Sequence, residues 1–181
     1  MLIASRVGGR GFTLVELMTV VSIVGILSAL AAALVSKHVN ASRTGEALAI
    51  VQSIRAAQES YRAENRRYLS VSNAITDYYP AQKPDGRKRA FYRGGGDALD
   101  ARWNILRPVI AGPVRFVYAT VAGDSGSAVP ALSIANAPTF STPSAPFYVI
   151  QAAGDMDADG DQCMVAATSF TSETYVENEG E

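Results

Sequence analysis

The sequence predicts an α+β fold, in which a long N-terminal helix packs on a small antiparallel sheet of about four strands. Three observations carry that prediction. Residues 12–35 contain no Lys, Arg or Asp and a single acid, Glu16. Ala47, Ile50, Val51, Ile54, Ala57, Tyr61 and Tyr68 then recur at spacings of three and four, the apolar stripe of a helix. Beyond residue 108 the helical period gives way to short alternating runs separated by Gly, Pro and Ser.

The first segment, residues 1–11, is short and basic, with Arg6 and Arg10. The apolar run that follows is about 24 residues, or ~36 Å as a helix, enough for a hydrocarbon core of ~30 Å. Arginines ahead of the run keep the N-terminus cytoplasmic and send the rest of the chain outward. Two simple accounts of such a run are a secretory signal cut near Ala33, within "SALAAALVS", and an uncleaved anchor. Neither explains Glu16, since a glutamate in hydrocarbon costs at least ~2.5 kcal/mol.

The helical pattern continues in amphipathic form, and no proline interrupts it before Pro80. Gln52, Arg55, Glu59 and Arg62 fall away from the apolar stripe, and Arg55 and Glu59 stand one turn apart, the spacing of an ion pair. The helix is expected to end near Arg67, about 84 Å from its start at ideal rise.

The rest is read as a β-rich head. "YYPAQKPDGRKRAFYRGGGD" is rich in turn formers and reads as loop. Its Gly94-Gly95-Gly96 run lacks the GK[ST] of a phosphate loop. Arg87, Lys88, Arg89 and Arg93, with Phe91 and Tyr92 between them, have the composition of a polyanion contact, but a solvated loop accounts for them better. Val114, Phe116, Tyr118 and Val121 mark a first strand, and "APFYVIQAAGD" a second. "CMVAATSF" or "SETYVEN" supplies one or two more. Between the first two lies a Pro/Ser-rich loop, "SAVPALSIANAPTFSTPSAP", expected to be exposed.

One motif in this half has pointed chemistry. In "GDMDADGDQ" Asp155, Asp157, Asp159 and Asp161 alternate, and Gly160 permits a sharp turn. Hard oxygen ligands at this spacing suit Ca²⁺. The run opens like an EF-hand loop, but its twelfth position is Ala166 and no flanking helix pair is evident, so another group would have to complete the shell. The other account is a solvated acidic turn.

Composition narrows the function. Cys163 is the only cysteine and His38 the only histidine, which excludes an intramolecular disulfide and argues against a His-based triad or a multi-His metal site. A net charge of −1 does not suit nucleic-acid binding. No constellation of nucleophile, base and pocket suggests an enzyme.

"RGFTLVELM" resembles the class III signal of type IV prepilins and of the related type II secretion pseudopilins. The resemblance implies cleavage between Gly11 and Phe12 by a dedicated prepilin peptidase, which then N-methylates Phe12. It also implies an intermolecular role for Glu16, whose carboxylate would draw in the new ammonium of Phe12 on the next subunit. The implied organisation is a leader (1–11), a transmembrane and assembly half-helix (12–35), an amphipathic half-helix (36–68) and a head (69–181), in a pilin fold. The turn at 155–161 resembles the C-terminal loop that calcium staples in some pilins and major pseudopilins. "SETYVENEGE" looks like the tail of delta-proteobacterial pilins.

By this resemblance the protein is a non-enzymatic subunit of a type IV pilus. It would lie as a single-pass precursor in the inner membrane of a Gram-negative bacterium, then enter a surface filament serving motility, adhesion or DNA uptake. Its partners would be identical and minor pilins, the peptidase-methylase, the inner-membrane assembly platform and membrane lipid, with nucleic acid disfavoured. A mature chain of about 170 residues is long for a major pseudopilin, the alternative within the family. A membrane-tethered periplasmic binding module is the alternative outside it. The chain departs from the family near Ala33, where most members carry a proline, although Gly25 lies where their helix loosens.

Overall fold

The computed structural model describes residues 12–135 and 137–179; the leader, with Gly11, lies outside them. The chain divides into two units, residues 1–37 and 38–181, and each is described by itself. Helix α1 (Leu14–Asn65) contributes to both.

In the first unit, the apolar run forms helix from Leu14 onward, and residues 14–31 are long and apolar enough to cross a membrane. Large apolar side chains are exposed on every side of it, among them Leu14, Val15, Leu17, Met18, Val21 and Ile26. A helix that is apolar all round needs lipid or other helices to cover it. Two of its hydroxyls are satisfied locally: Thr19 Oγ1 donates to Val15 O at 2.9 Å and Ser22 Oγ to Met18 O at 2.8 Å. Such back-bonding lets a hydroxyl sit in hydrocarbon without an unpaired donor.

The second unit holds the rest of α1, a short helix α2 (Ala98–Leu106), and four strands: β1 (Val117–Gly123), β2 (Phe147–Gly154), β3 (Cys163–Thr168) and β4 (Thr174–Glu177). The strands form an antiparallel meander in the order β1-β2-β3-β4, with Tyr118 opposite Ala152, Ala153 opposite Met164, and Val165 opposite Val176. The α+β fold and the four-stranded sheet expected from the sequence are present.

The stripe on α1 does what its period predicts. Ala47, Ile50, Val51 and Ile54 are buried in one core cluster with Phe116, Tyr118, Ile150, Ala152 and Val165. Because strand side chains alternate, the other sheet face carries Val117, Ala119, Ala153, Met164 and Ala166. It is not solvated. Tyr78, Ile134 and Leu132 pack over it, so every residue of β2 is buried. Ile134 and Leu132 belong to the Pro/Ser-rich loop expected to be exposed, and here they cover the sheet instead.

The structure corrects two expectations and adds one element. Helix α1 stops at Asn65, where Arg66 turns left-handed with φ +58°, so Tyr68 lies beyond it. Tyr68 is buried nonetheless, its ring edge-on to Tyr148 at 4.7 Å. Arg55 does not pair with Glu59; its guanidinium donates to Thr168 O and Thr171 O, both at 2.9 Å, and ties α1 to the β3–β4 turn. Helix α2 begins just past the stretch read as loop, in residues left unassigned from sequence. Asp97 caps it, accepting from Asp100 N at 2.7 Å, and Trp103 on its inner face is fully buried.

Gln58 is the polar pin of this unit. It is fully buried, donates to Leu69 O (2.8 Å) and Thr120 Oγ1 (3.2 Å), and accepts from Leu69 N (3.0 Å). Its amide thus returns the chain after α1 to the helix and joins both to β1. Residues 71–79 then run along the free edge of β1, where Tyr79 and Tyr118 exchange backbone hydrogen bonds of 2.9 and 2.7 Å, covering an edge that would otherwise be open to pairing.

Candidate functional site

At the head of α1, Thr13 and Glu16 cap the helix reciprocally. The Thr13 hydroxyl accepts from Glu16 N at 3.2 Å, while one oxygen of the Glu16 carboxylate accepts from Thr13 N and Thr13 Oγ1, both at 2.9 Å. This is a capping box, which satisfies two of the backbone donors a helix start leaves unpaired. Sequence reading assigned Glu16 a charge partner and passed over this local task, although the Thr-x-x-Glu spacing was there to be seen. The two roles are compatible, because the other carboxylate oxygen makes no bond to a described residue. Phe12 is exposed beside it.

The four aspartates fall between β2 and β3. Asp155, Asp157 and Asp159 bring carboxylate oxygens within 4.8 Å of one another, Asp155 buried and the other two exposed. Asp161 is not one of this trio, but its N–H donates to Asp159 Oδ1 at 2.8 Å. Asp155 Oδ1 accepts from Ala158 N at 2.7 Å, so part of its capacity holds the turn. Ala158 (φ +64°) and Gly160 (φ +101°) supply the reversals. No ion pair among the described residues engages these carboxylates. Their oxygens fit a hard divalent cation in kind, though three carboxylates do not fill the six to eight positions calcium takes.

Gly86 fixes where the turn begins. Its φ is +64°, and a Cβ there would lie 2.5 Å from Asp155 O. The loop bearing Gly86 is the basic one, and its charges are largely committed. Arg89 bonds Asp85, whose carboxyl it holds below the usual range. Arg93 pairs with Asp97 at 2.9 Å and lies over the Tyr79 ring. Phe91 is buried and unavailable for stacking, while Tyr92 is partly exposed with its hydroxyl donating to Pro108 O.

The glycine run is also accounted for. Gly94 and Gly96 have positive φ, and Gly96 N donates to Asp100 Oδ2 at 3.4 Å. Asp100 is buried and takes the Tyr79 hydroxyl on its other oxygen. The anion that this loop receives is the protein's own carboxylate.

The model of the prokaryotic N-terminal methylation motif matches residues 8–32. The chain carries this motif. It covers the Gly11–Phe12 junction, the capping box and the exposed apolar helix. Over 66 residues, 36% of this chain, the sequence is 42% identical to the type IV major pilin protein PilA of Myxococcus xanthus (strain DK1622), and the match spans 30% of that relative's length. No solved structure matches the chain significantly.

Proposed function

We propose that the protein is a structural, non-catalytic subunit of a type IV pilus, processed between Gly11 and Phe12 and polymerised through its N-terminal helix. The observation that carries this reading is the methylation motif leading into a helix whose apolar surface is exposed all round. Such a helix is stable in lipid before assembly and among like helices after it. The similarity to a major pilin supports the same reading. Glu16 then has two tasks: it caps its own helix and neutralises the methylated ammonium of Phe12 on an incoming subunit. In a low-dielectric bundle, either charge alone would be costly.

The peptidase-methylase, the inner-membrane platform and further pilins are the partners this reading requires, and motility, adhesion or DNA uptake are the uses open to the filament. The precursor would lie in the inner membrane of a Gram-negative cell. The test is to shear cells, pellet the released fibres, and quantify the chain in fibres and membranes. Recovery in fibres is expected. Recovery of a processed chain in membranes alone would replace the pilus with a type II secretion pseudopilus.

Calcium at the aspartate turn belongs to the same proposal. Asp155, Asp157 and Asp159 would supply carboxylate oxygens, with Asp161 as a further donor, and the ion would relieve the repulsion among them. With one cysteine in the chain, a metal is the available cross-link between the ends of β2 and β3.

A further inference from the structure

We propose that the groove between α1 and residues 109–114 receives the acidic β4 edge and tail of a second copy of this chain, so that one head seats on the next. The inference deepens the filament reading and rests on it.

Charge is divided sharply along the chain. Beyond Arg115 it contains no Lys, Arg or His, and Glu173, Glu177, Glu179 and Glu181 crowd its end. The first three make no ion pair with a described residue. β4 is also the open edge of the sheet. Residues 71–79 cover the outer edge of β1, but no backbone hydrogen bond from a described residue reaches the outer edge of β4. Val176, on that strand, is 38% exposed. An open edge flanked by like charges resists pairing with another such edge and accepts a surface of opposite sign.

The groove has the complementary character. It is open, about 470 Å³ in volume, with Glu46, Ala49 and Ile50 of α1 on one side and residues 109–114 on the other. Among the described residues of the second unit, Val109 and Ile105 are the most exposed large apolar side chains, at 88% and 60%. Val109 is nevertheless held in place. Ser53 Oγ donates to its carbonyl at 2.7 Å, and the Tyr92 hydroxyl donates to Pro108 O. An apolar group fixed in this way loses little freedom on docking. Lys88 lines the groove, and Arg107 stands two residues before Val109. Both are exposed, and neither makes an ion pair with a described residue. Glu46, the acid among the lining residues, is half-buried.

The two surfaces belong to different parts of the head, so joining them uses a different patch on each copy. Groove to edge, copies repeat head to tail, the heterologous arrangement from which open filaments are built. Val176 supplies apolar burial against Val109, and Lys88 and Arg107 meet the acidic residues that flank β4.

The experiment uses the full chain in its own cells, with sheared fibres quantified and the N-terminal peptide read for processing. Lys88→Glu with Arg107→Glu is expected to lower fibre yield about tenfold or more, as is Glu173→Lys with Glu179→Lys, and the four changes together to restore it. Membrane levels and processing at Phe12 should match the wild type throughout. In fibres of the double variant V109C/V176C, mild oxidation should give a ladder of disulfide-linked chains, because a head-to-tail contact links each chain to two neighbours while Cys163 is buried. Normal yield from both reversal variants would overturn the inference and leave the pilus reading standing. So would a loss that the four changes do not restore, which would give the groove to a partner of another kind, or fibres yielding only monomers or dimers. A wild-type chain absent from fibres removes the filament, and this contact with it.

Discussion

Glu16 and Thr13 hold each other at 2.9 Å, the carboxylate of one receiving both the N–H and the hydroxyl of the other at the first turn of α1. The residue proposed to recruit the next subunit is thus already in use within its own. That doubles what a substitution removes, and it also gives a way to separate the two roles.

Glu16→Ala removes the cap and the charge together, whereas Glu16→Gln retains an acceptor for Thr13 N and removes only the charge. Loss of the cap alone costs about 1 kcal/mol. If Glu16 draws in the ammonium of Phe12, both variants will leave the sheared-fibre fraction while staying in the membrane. Normal fibre yield for Glu16→Gln would show that only the cap matters.

Gln58 is expected to be the most sensitive polar side chain in the head. Gln58→Leu leaves Leu69 N–H and C=O and the Thr120 hydroxyl without their partner in a buried site. Three orphaned groups, the Leu69 pair only partly buried, cost about 3 kcal/mol in total. Thermal unfolding of the full chain in detergent should show a clear fall in Tm, while Gln52→Leu, on the exposed side of α1, should show little.

Acid will unfold the head partly through Asp100. The Tyr79 hydroxyl, aided by Gly96 N–H and the nearby Arg93, holds its carboxyl below the usual range. The unfolded chain therefore binds that proton more readily, and the stability Asp100 contributes is full above its ordinary value of about 3.9 and lost as pH falls below it. Tyr79→Phe removes the largest cause, so the acid transition should move to higher pH. Circular dichroism against pH reads this, and an unchanged midpoint would contradict it.

Calcium should raise the Tm of the head if the aspartate turn holds it. At a hundredfold excess of free ion over Kd, the stabilisation is about 2.7 kcal/mol. Asp157→Asn with Asp159→Asn should abolish the response, and magnesium should not reproduce it, because that smaller ion demands a tighter octahedral shell. Gly86→Ala should weaken it from a distance, since the added methyl displaces Asp155 O. A calcium response that survives the double Asn change would place the ion elsewhere.

What could be read from the chain was whatever is written in a period. The stripe from Ala47 to Ile54 announces a helix face, and the alternation of Val114, Phe116 and Tyr118 announces the strand that becomes β1. Helix α2 was missed because its nine residues give only about two and a half turns, although Asp97 ahead of it carried a cap signal. Arg55 was misread because i, i+4 spacing shows only neighbours on the same helix, and its partners lie 113 and 116 residues away. The aspartate turn was legible as a cluster, but which three carboxylates converge depends on φ at Ala158 and Gly160.

The most direct test of the central claim is the mass of the N-terminal peptide of the chain isolated from its own cells. The account predicts a peptide beginning at Phe12 and carrying one methyl group on its amine. A chain that still begins at Met1, or one cut near Ala33, would contradict it, because neither presents an ammonium that Glu16 of a neighbour could receive.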